Sequence, residues 1–153
     1  MIRSNNTKQI LYNKCVQFKK NRLDIINKTI TELQESLTSE TKSSAGDKHE
    51  TGRAMVQLER EKAGNQLAEI QKLNQILSKI DADKVTANVV LGSLVFTTNA
   101  NYFICISAGE FTISDKKYYA ISANTPIAQL LLGKSKNDTF TFRNQNFTIT
   151  AII

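Results

Sequence analysis

Apolar side chains between residues 11 and 80 mirror one another about a single point, and this symmetry constrains the fold more than any other feature. Eight apolar positions before residue 46 each have an apolar counterpart at the reflected position after it. The pairs are Leu11 with Ile80, Cys15 with Leu77, Phe18 with Leu73, Leu23 with Ile70, Ile26 with Leu67, Ile30 with Ala63, Leu33 with Leu58, and Leu37 with Met55. A chain that packs these pairs together folds back on itself near residue 46. The sequence therefore predicts an antiparallel hairpin.

The spacing of the same residues predicts that both arms are helices. From Leu23 to Leu37, the apolar positions are separated by alternating steps of three and four residues, and the run from Ile70 to Ile80 repeats this rhythm. Such steps produce the apolar seam of a coiled coil. The only proline lies far downstream, so none interrupts either arm. Gly52 and Gly64 each cost on the order of 1 kcal/mol relative to alanine in a helix. We therefore expect the distal half of the second helix to be the less stable one.

Beyond Ile80 the apolar period changes from that of a helix to that of a strand. Phenylalanines alternate with threonines over residues 139–142, and apolar residues alternate with threonines again over 147–150. Alternation of this kind is typical of half-buried strands. The segment 144–146, Asn-Gln-Asn, is predicted to be the turn between them. Earlier strands are predicted over residues 92–97, 102–107 and 118–121.

One short helix is predicted among these strands. Thr125 suits the N-cap, Pro126 suits the first helical position, and Gly133 can close the other end. Ile127, Leu130 and Leu131 are expected to fill the core. The fold class is therefore α+β. Residues 1–83 are predicted to form an antiparallel coiled-coil hairpin with an acidic tip near residues 45–50, and residues 84–153 are predicted to form a small antiparallel sheet domain with one helix.

Positive charge is concentrated at the start of the chain. The formal charge of +6 arises from 20 basic and 14 acidic side chains. Six basic residues precede the first acidic residue, Asp24; they are Arg3, Lys8, Lys14, Lys19, Lys20 and Arg22. Among these, Lys19, Lys20 and Arg22 are candidates for contact with nucleic-acid phosphates. A solvated helix surface explains the same pattern, and charge alone leaves both interpretations open.

Several classes of site have little support in this composition. Cys15 and Cys105 lie in separate apolar segments, which indicates core thiols in a reducing compartment and not a disulfide framework. His49 is the only histidine, so a histidine-based metal site or catalytic triad is not expected. The first residues do not resemble a signal peptide, and no apolar run is long enough to cross a membrane. We expect a cytoplasmic monomer.

Asp47 and Glu50 stand where the hairpin reverses. Two carboxylates at the end of a helical arm provide the oxygen ligands that Mg²⁺ prefers beside phosphates. The same pair, three residues apart, also fits an N-cap residue with its capping-box partner, which ends a helix without any function. Spacing alone leaves the choice between metal binding and capping open.

Two motifs resemble the Gre transcript-cleavage factors of bacterial RNA polymerase. The segments 121–127 (I-S-A-N-T-P-I), 131–134 (L-L-G-K) and 137–138 (N-D) are similar to the pattern I-S-x-x-S-P-I-G-x-A-L-L-G-K-x-x-G-D of their C-terminal domains. The segment 46–50 (G-D-K-H-E) is similar to their G-D-L-S-E-N signature at a hairpin tip. The two motifs occur in the family's order, so the resemblance covers most of the chain.

This resemblance implies an FKBP-like second domain that docks on RNA polymerase and a hairpin that enters the secondary channel. It implies that Asp47 and Glu50 help the polymerase hold a shared Mg²⁺ ion and so promote cleavage of backtracked RNA. It also implies that the chain contacts nascent RNA and DNA within the polymerase complex. The chain itself is expected to have no cofactor of its own. Catalysis then belongs to the polymerase. The implied docking residues are Thr125, Pro126, Lys134, Lys136 and Asp138.

The chain departs from the family pattern at several positions. Thr125 replaces a serine, and Asn137 replaces the glycine before Asp138. At the tip, Lys48-His49 replaces Leu-Ser and makes the tip less acidic. Two alternatives therefore remain: a factor that occupies the channel without stimulating cleavage, and an FKBP-like prolyl isomerase with a helical handle.

Overall fold

The computed structural model describes the backbone of residues 2–42 and 46–153, and the side chains of residues 6–36, 38 and 52–153. Two long helices come first, followed by six strands and one short helix. In chain order the elements are α1 (Ile2–Lys42), α2 (Gly46–Ser78), β1 (Leu94–Thr97), β2 (Asn101–Cys105), β3 (Gly109–Ile113), β4 (Lys116–Ser122), α3 (Pro126–Leu131), β5 (Thr139–Phe142) and β6 (Gln145–Ile152). The predicted α+β class is confirmed.

The two long helices form the predicted hairpin. The Lys19 ammonium group donates a hydrogen bond to Asn74 Oδ1 at 3.0 Å. Closer to the chain start, the Tyr12 hydroxyl donates to the Leu77 carbonyl at 2.9 Å. Both contacts join early residues of α1 to late residues of α2, as an antiparallel pair requires. α1 ends at Lys42 and α2 begins at Gly46, close to the centre of the mirrored pattern.

The burial of apolar residues confirms most of the predicted seam and corrects its distal end. In α2, Ala63, Ile70 and Leu77 are buried and Val56 is half-buried, each seven residues from the next. The predicted seam residues Met55 and Leu58 are instead 66% exposed. In a heptad repeat, residues seven positions apart lie on the same side of the helix. Val56 is two heptads before Ile70, so the side of α2 that buries Ile70 and Leu77 continues through Val56. The Leu37 side chain lies outside the described residues.

The sheet is mixed and not wholly antiparallel as predicted. Its strand order is β3-β4-β2-β1-β6-β5. Four pairings are antiparallel, whereas β2 and β4 run parallel. The cause is β3, a strand that the sequence pattern did not predict. This strand pairs with β4 as a hairpin, so that β4 returns in the direction of β2.

Two tight turns close the hairpins of this sheet. Ser114 and Asp115 have φ values of 51° and 67°, and Arg143 and Asn144 have φ values of 51° and 64°. Two consecutive left-handed residues are the signature of the two-residue type I′ turn, whose twist matches that of the strands. The predicted turn at residues 144–146 is therefore displaced, because Gln145 already begins β6.

A hydrophobic core lies between the sheet and α3. Its fully buried members include Val95, Ile104, Ala128, Leu131 and Ile149. The predicted core residue Leu130 is 36% exposed, and Ala128 takes its place on the inner side of α3.

Elsewhere in the same unit, α1 contacts the sheet. The Cys105 thiol is hydrogen-bonded to Cys15 of α1, and the Lys14 ammonium group lies 5.8 Å from the centre of the Phe111 ring.

The chain divides into two compact units. One contains Met1–Phe18 and Gln75–Ile153, and the other contains Lys19–Asn74. The predicted domain boundary after residue 83 stays a prediction. None of the helices in the described part of the chain is both long and apolar enough for a membrane span.

Candidate functional site

The backbone places the predicted tip residues at the beginning of α2. This helix starts at Gly46, so Asp47 and Glu50 are its second and fifth residues. Unpaired N–H groups and the helix dipole make this end of a helix favourable for negative charge. The side chains of Asp47, Lys48, His49 and Glu50 lie outside the described residues. Metal binding and capping by the two carboxylates both stay predictions.

The predicted docking segment begins with a well-formed helix cap. Thr125 has the extended backbone of an N-cap residue, with φ −71° and ψ 151°. Its hydroxyl donates to the Ser122 carbonyl at 2.8 Å and accepts from the Ala128 N–H at 3.4 Å. Pro126 occupies the first helical position and is exposed. Thr125 therefore holds the start of α3 in place, and Pro126 faces outward beside it.

Beyond α3, the docking segment is bonded to a loop that the sequence analysis did not select. The Gly133 N–H donates to the Val89 carbonyl at 2.9 Å, and the Val89 N–H donates to the Lys134 carbonyl at 2.8 Å. The Asn88 amide adds a bond to the Gly133 carbonyl at 2.9 Å. Gly133 adopts φ +85°, a conformation that side-chain-bearing residues rarely take. These bonds fix the backbone on which Lys134 is carried.

Asp138 has a structural partner of its own. Its carboxylate accepts a hydrogen bond from the Ser135 N–H at 2.7 Å. The adjacent Asn137 is left-handed, with φ 76°, and donates its N–H to the Ile149 carbonyl at 2.8 Å. Lys136, inside the turn that the Asp138 N–H closes on the Ser135 carbonyl, is exposed. Among the predicted docking residues, Asp138 thus stabilises the loop, and Lys136 carries a positive charge that is exposed to solvent.

Exposed apolar residues occur in the same unit as the docking segment. Val85 and Val90 flank the bonded loop, and Leu130 lies on the outer side of α3. Protein contacts combine an apolar centre with a polar rim, so these exposed side chains are candidates for the centre of such a contact. Sequence periodicity had assigned Leu130 to the core, so this signal was missed.

The basic residues of α1 have different surroundings. Lys19 donates to Asn74 within the hairpin, whereas Lys20 and Arg22 are exposed. Lys8 is 1% exposed, and its ammonium group donates to the Lys84 carbonyl at 2.7 Å. Burial lowers the pKa of Lys8, and the nearby carboxylates of Asp81 and Asp83 act in the opposite direction. The run of basic residues is therefore not a uniform solvated face.

The two cysteines are free, buried thiols, as expected from their apolar neighbours. Their mutual hydrogen bond and their burial raise the pKa of Cys105. A thiol kept protonated is a poor nucleophile and a poor metal ligand. Within the described residues, no three His, Cys, Asp or Glu side chains form a group that would hold a metal ion.

Comparison of the chain with family models, curated proteins and solved structures found no significant match. The functional assignment therefore depends on the arrangement of the chain's own residues. The relevant arrangement is a pair of long antiparallel helices that reverse immediately before Asp47, followed by a sheet unit that carries the 125–138 segment.

Proposed function

We propose that this chain is a Gre-like, cytoplasmic accessory factor of RNA polymerase that stimulates cleavage of backtracked RNA. The observation that supports this most strongly is the reversal of two long helices directly before Asp47 and Glu50. Helices of 41 and 33 residues span roughly 60 and 50 Å at 1.5 Å per residue. Such arms are long enough to carry a reactive tip far into a narrow channel.

In this proposal, the carboxylates supply ligands and the polymerase supplies the reaction centre. Mg²⁺ is a hard cation that is bound beside phosphates by one or two carboxylates and water. Asp47 and Glu50 would share a Mg²⁺ ion with the polymerase, and this ion would help activate water against the RNA phosphodiester. Lys48 and His49 lower the negative charge of the tip, so the affinity for the shared ion is expected to be modest.

The sheet unit is proposed to dock on the polymerase. The cap at Thr125 and the bonds between residues 88–89 and 133–134 hold α3 and the following loop rigid. Lys136 and Pro126 are exposed on this segment, and Leu130 adds apolar surface. Rigid placement lowers the entropic cost of docking, because these side chains need little further ordering.

Binding to purified bacterial RNA polymerase tests the docking part of the proposal. Lys136→Glu reverses an exposed charge and is expected to weaken binding by roughly tenfold, on the scale of an interface charge. The thermal midpoint is expected to stay within about 2 °C, because surface changes of this kind alter stability little. Lys79→Glu is the matched control, since Lys79 is also exposed but lies outside residues 125–138.

Two results would refute this part. Failure of the wild-type chain to bind the polymerase would remove the proposal altogether. Equal affinities for Lys136→Glu and Lys79→Glu would move the docking surface away from residues 125–138. If the wild-type chain binds without accelerating cleavage, it occupies the channel as a regulator.

A further inference from the structure

A cavity of about 480 Å³ lies between the first turns of α1 and the hairpin of β3 and β4. Its described lining residues are Asn6, Thr7, Ile10, Ile113, Ser114, Lys116 and Tyr118. All of them belong to the compact unit that contains the sheet. We call it the helix–sheet cavity. Its volume lies within the range of about 300–1,000 Å³ that is usual for pockets that bind small molecules.

The sheet wall of this cavity comes from a single face of the hairpin. Residues two positions apart in a strand point to the same face, and Lys116 and Tyr118 both line the cavity. Ile113, the third wall residue, is the register partner of Lys116 in β3. The intervening Lys117 is on the opposite face, where its ammonium group lies 3.7 Å from Glu110 Oε1. The strand therefore separates two neighbouring lysines, and only one of them lines the cavity.

The helix wall comes from one side of α1. Asn6, Ile10 and Lys14 are spaced four residues apart, so they lie on the same side of the helix. The Lys14 ammonium group lies 5.8 Å from the centre of the Phe111 ring, and Phe111 is the register partner of Tyr118. The same side of α1 thus follows the hairpin from Phe111 toward its turn, and Asn6 and Ile10 close the cavity.

The cavity combines apolar walls with one covered hydrogen-bonding group. Ile10 and Ile113 are half-buried and supply the apolar surface. Tyr118 is only 4% exposed, and its ring is packed edge-on against Phe96 with ring centres 6.2 Å apart. Its hydroxyl has no hydrogen bond within the described part of the chain. A covered hydroxyl without a partner is costly, and a ligand that accepts its hydrogen bond recovers that cost.

The charge at the cavity is positive. Lys116 is exposed and has no ion-pair partner among the residues that the structure describes. None of the described lining residues is acidic. The neighbouring Asp115 is exposed in the hairpin turn and does not pair with Lys116. The flexible stem of lysine lets its ammonium group reach along the strand toward Tyr118. An ammonium group and a hydroxyl donor together suit a carboxylate, which accepts strong charge-assisted hydrogen bonds.

We propose that the helix–sheet cavity binds a small monocarboxylate, with its charged end at Lys116 and Tyr118 and its apolar body against Ile10 and Ile113. The body is an alkyl chain or an aryl ring, since both fit apolar walls. The site does not rest on the polymerase proposal, because none of its residues belongs to the hairpin tip or to the 125–138 segment. The bound acid contacts both α1 and the sheet, so it is expected to raise the thermal midpoint of the chain.

Titration of the isotope-labelled full chain with octanoate, followed by amide chemical shifts, tests the site directly. Saturable shifts are expected at residues 6–10 and 113–118. Octanol and octylammonium carry the same alkyl chain with a neutral and a positive end. Both are expected to bind at least about tenfold more weakly than octanoate, because neither forms a charge-assisted bond with Lys116. Phenylpropanoate in a parallel titration distinguishes an aryl body from an alkyl one.

Two neighbouring lysines provide a matched pair of variants. Lys116→Gln is expected to weaken octanoate binding about tenfold and to leave octanol binding unchanged, because it removes only the charged partner. Lys117→Gln removes the same charge one residue away, on the opposite face of the strand. It is expected to change octanoate affinity by less than about twofold, since its exposed pair with Glu110 contributes little.

Tyr118→Phe tests the hydroxyl separately from the ring. The variant keeps the contact with Phe96 and is expected to bind octanoate at least about tenfold more weakly, the lower end for a hydrogen bond to a charged group. Its thermal midpoint without ligand at neutral pH is expected to match that of the wild type, because the hydroxyl has no partner to lose. The apolar walls are tested by chain length: affinity is expected to rise about fourfold for each CH₂ from butyrate to octanoate.

Four results would overturn the proposal. The first is the absence of saturable shifts with octanoate and phenylpropanoate at millimolar concentration, and the second is a set of shifts that maps outside the helix–sheet cavity. The third is equal binding of octanoate, octanol and octylammonium, which would show that charge plays no part. The fourth is an equal effect of Lys116→Gln and Lys117→Gln together with unchanged binding by Tyr118→Phe.

Discussion

The two units of this chain bury apolar residues to very different extents. In the sheet-bearing unit, Phe103, Ile104, Leu131 and Ile149 are completely buried. Among the described residues of the unit Lys19–Asn74, burial is confined to Ile26, Ala63 and Ile70, while Ile25 is exposed. A layered core covers a side chain from several elements, whereas two helices cover only the residues of one seam.

This difference in burial predicts a difference in local stability between the two units. A unit with a continuous core resists local opening, and a thin helical pair lies toward the low end of local stability. Helix pairs with a narrow seam depend on propensity as well as on packing. Exposed Met55 and Leu58 make no contribution to the seam, and they are available to a partner.

The largest difference is expected from core truncation in each unit. Phe103→Ala is expected to lower the free energy of unfolding by about 3–5 kcal/mol, because it removes a fully buried ring. Ile70→Ala is expected to cost about 2 kcal/mol, since the helical pair can close partly around the loss. Denaturant unfolding followed by tyrosine fluorescence and by far-ultraviolet circular dichroism measures both. Equal losses from the two variants would break the comparison.

Two glycines sharpen the comparison at the level of the backbone. Gly64 is helical and exposed, and an added Cβ would meet nothing within 4 Å, so Gly64→Ala is expected to stabilise the protein by about 1 kcal/mol. Gly133 has the same open space but φ +85°, so Gly133→Ala is expected to destabilise it by about 1–2 kcal/mol. Thermal unfolding distinguishes these opposite signs. Stabilisation by Gly133→Ala would contradict the left-handed conformation.

A smaller effect is expected at alkaline pH, and it belongs to the sheet-bearing unit. Burial raises the pKa of Tyr118 above its ordinary value of 10.0. The folded state therefore favours the neutral phenol, and this contribution is present below pH 10 and is lost as pH rises through the raised pKa. Tyr118→Phe is expected to lose less stability than the wild type between pH 9 and 11. If the free energy of unfolding falls equally with pH in both proteins, ionisation of Tyr118 makes no contribution to the loss.

The effect of Lys8 on the pH dependence of stability is opposite to that of Tyr118, and the same experiment controls for it. Its pKa is lowered by burial below 10.5, so folding opposes its protonation. The resulting penalty is full below the lowered pKa and disappears as pH rises through 10.5. Because Lys8 is present in both proteins, its contribution cancels in the difference between the wild type and Tyr118→Phe.

Sequence periodicity predicted the hairpin, most of the strands and the cap of α3, because each depends on local patterns. It could not predict the parallel pairing of β2 with β4, which depends on where β3 returns the chain. The alternation of Phe111 and Ile113 was a signal for β3 that was overlooked. Met55 and Leu58 were misplaced because apolar character alone does not fix the phase of a seam.

The candidate sites were predictable to different degrees. The 125–138 segment could be selected from its turn and cap residues, but its bonds to Asn88 and Val89 join positions about 45 residues apart. Lys8 was expected at the surface because lysine is polar, yet its long stem and its bond to a carbonyl allow burial.

RNA cleavage in a backtracked polymerase complex tests the central claim most directly. The wild-type chain is compared with the double variant Asp47→Asn and Glu50→Gln at fixed Mg²⁺, with polymerase binding measured in parallel. Amides retain the size of the side chains and cost about 1 kcal/mol of stability at most, but they bind Mg²⁺ poorly. We predict that the wild type accelerates cleavage, whereas the folded, polymerase-bound double variant does not. Equal acceleration by both proteins would contradict the proposed role of the two carboxylates.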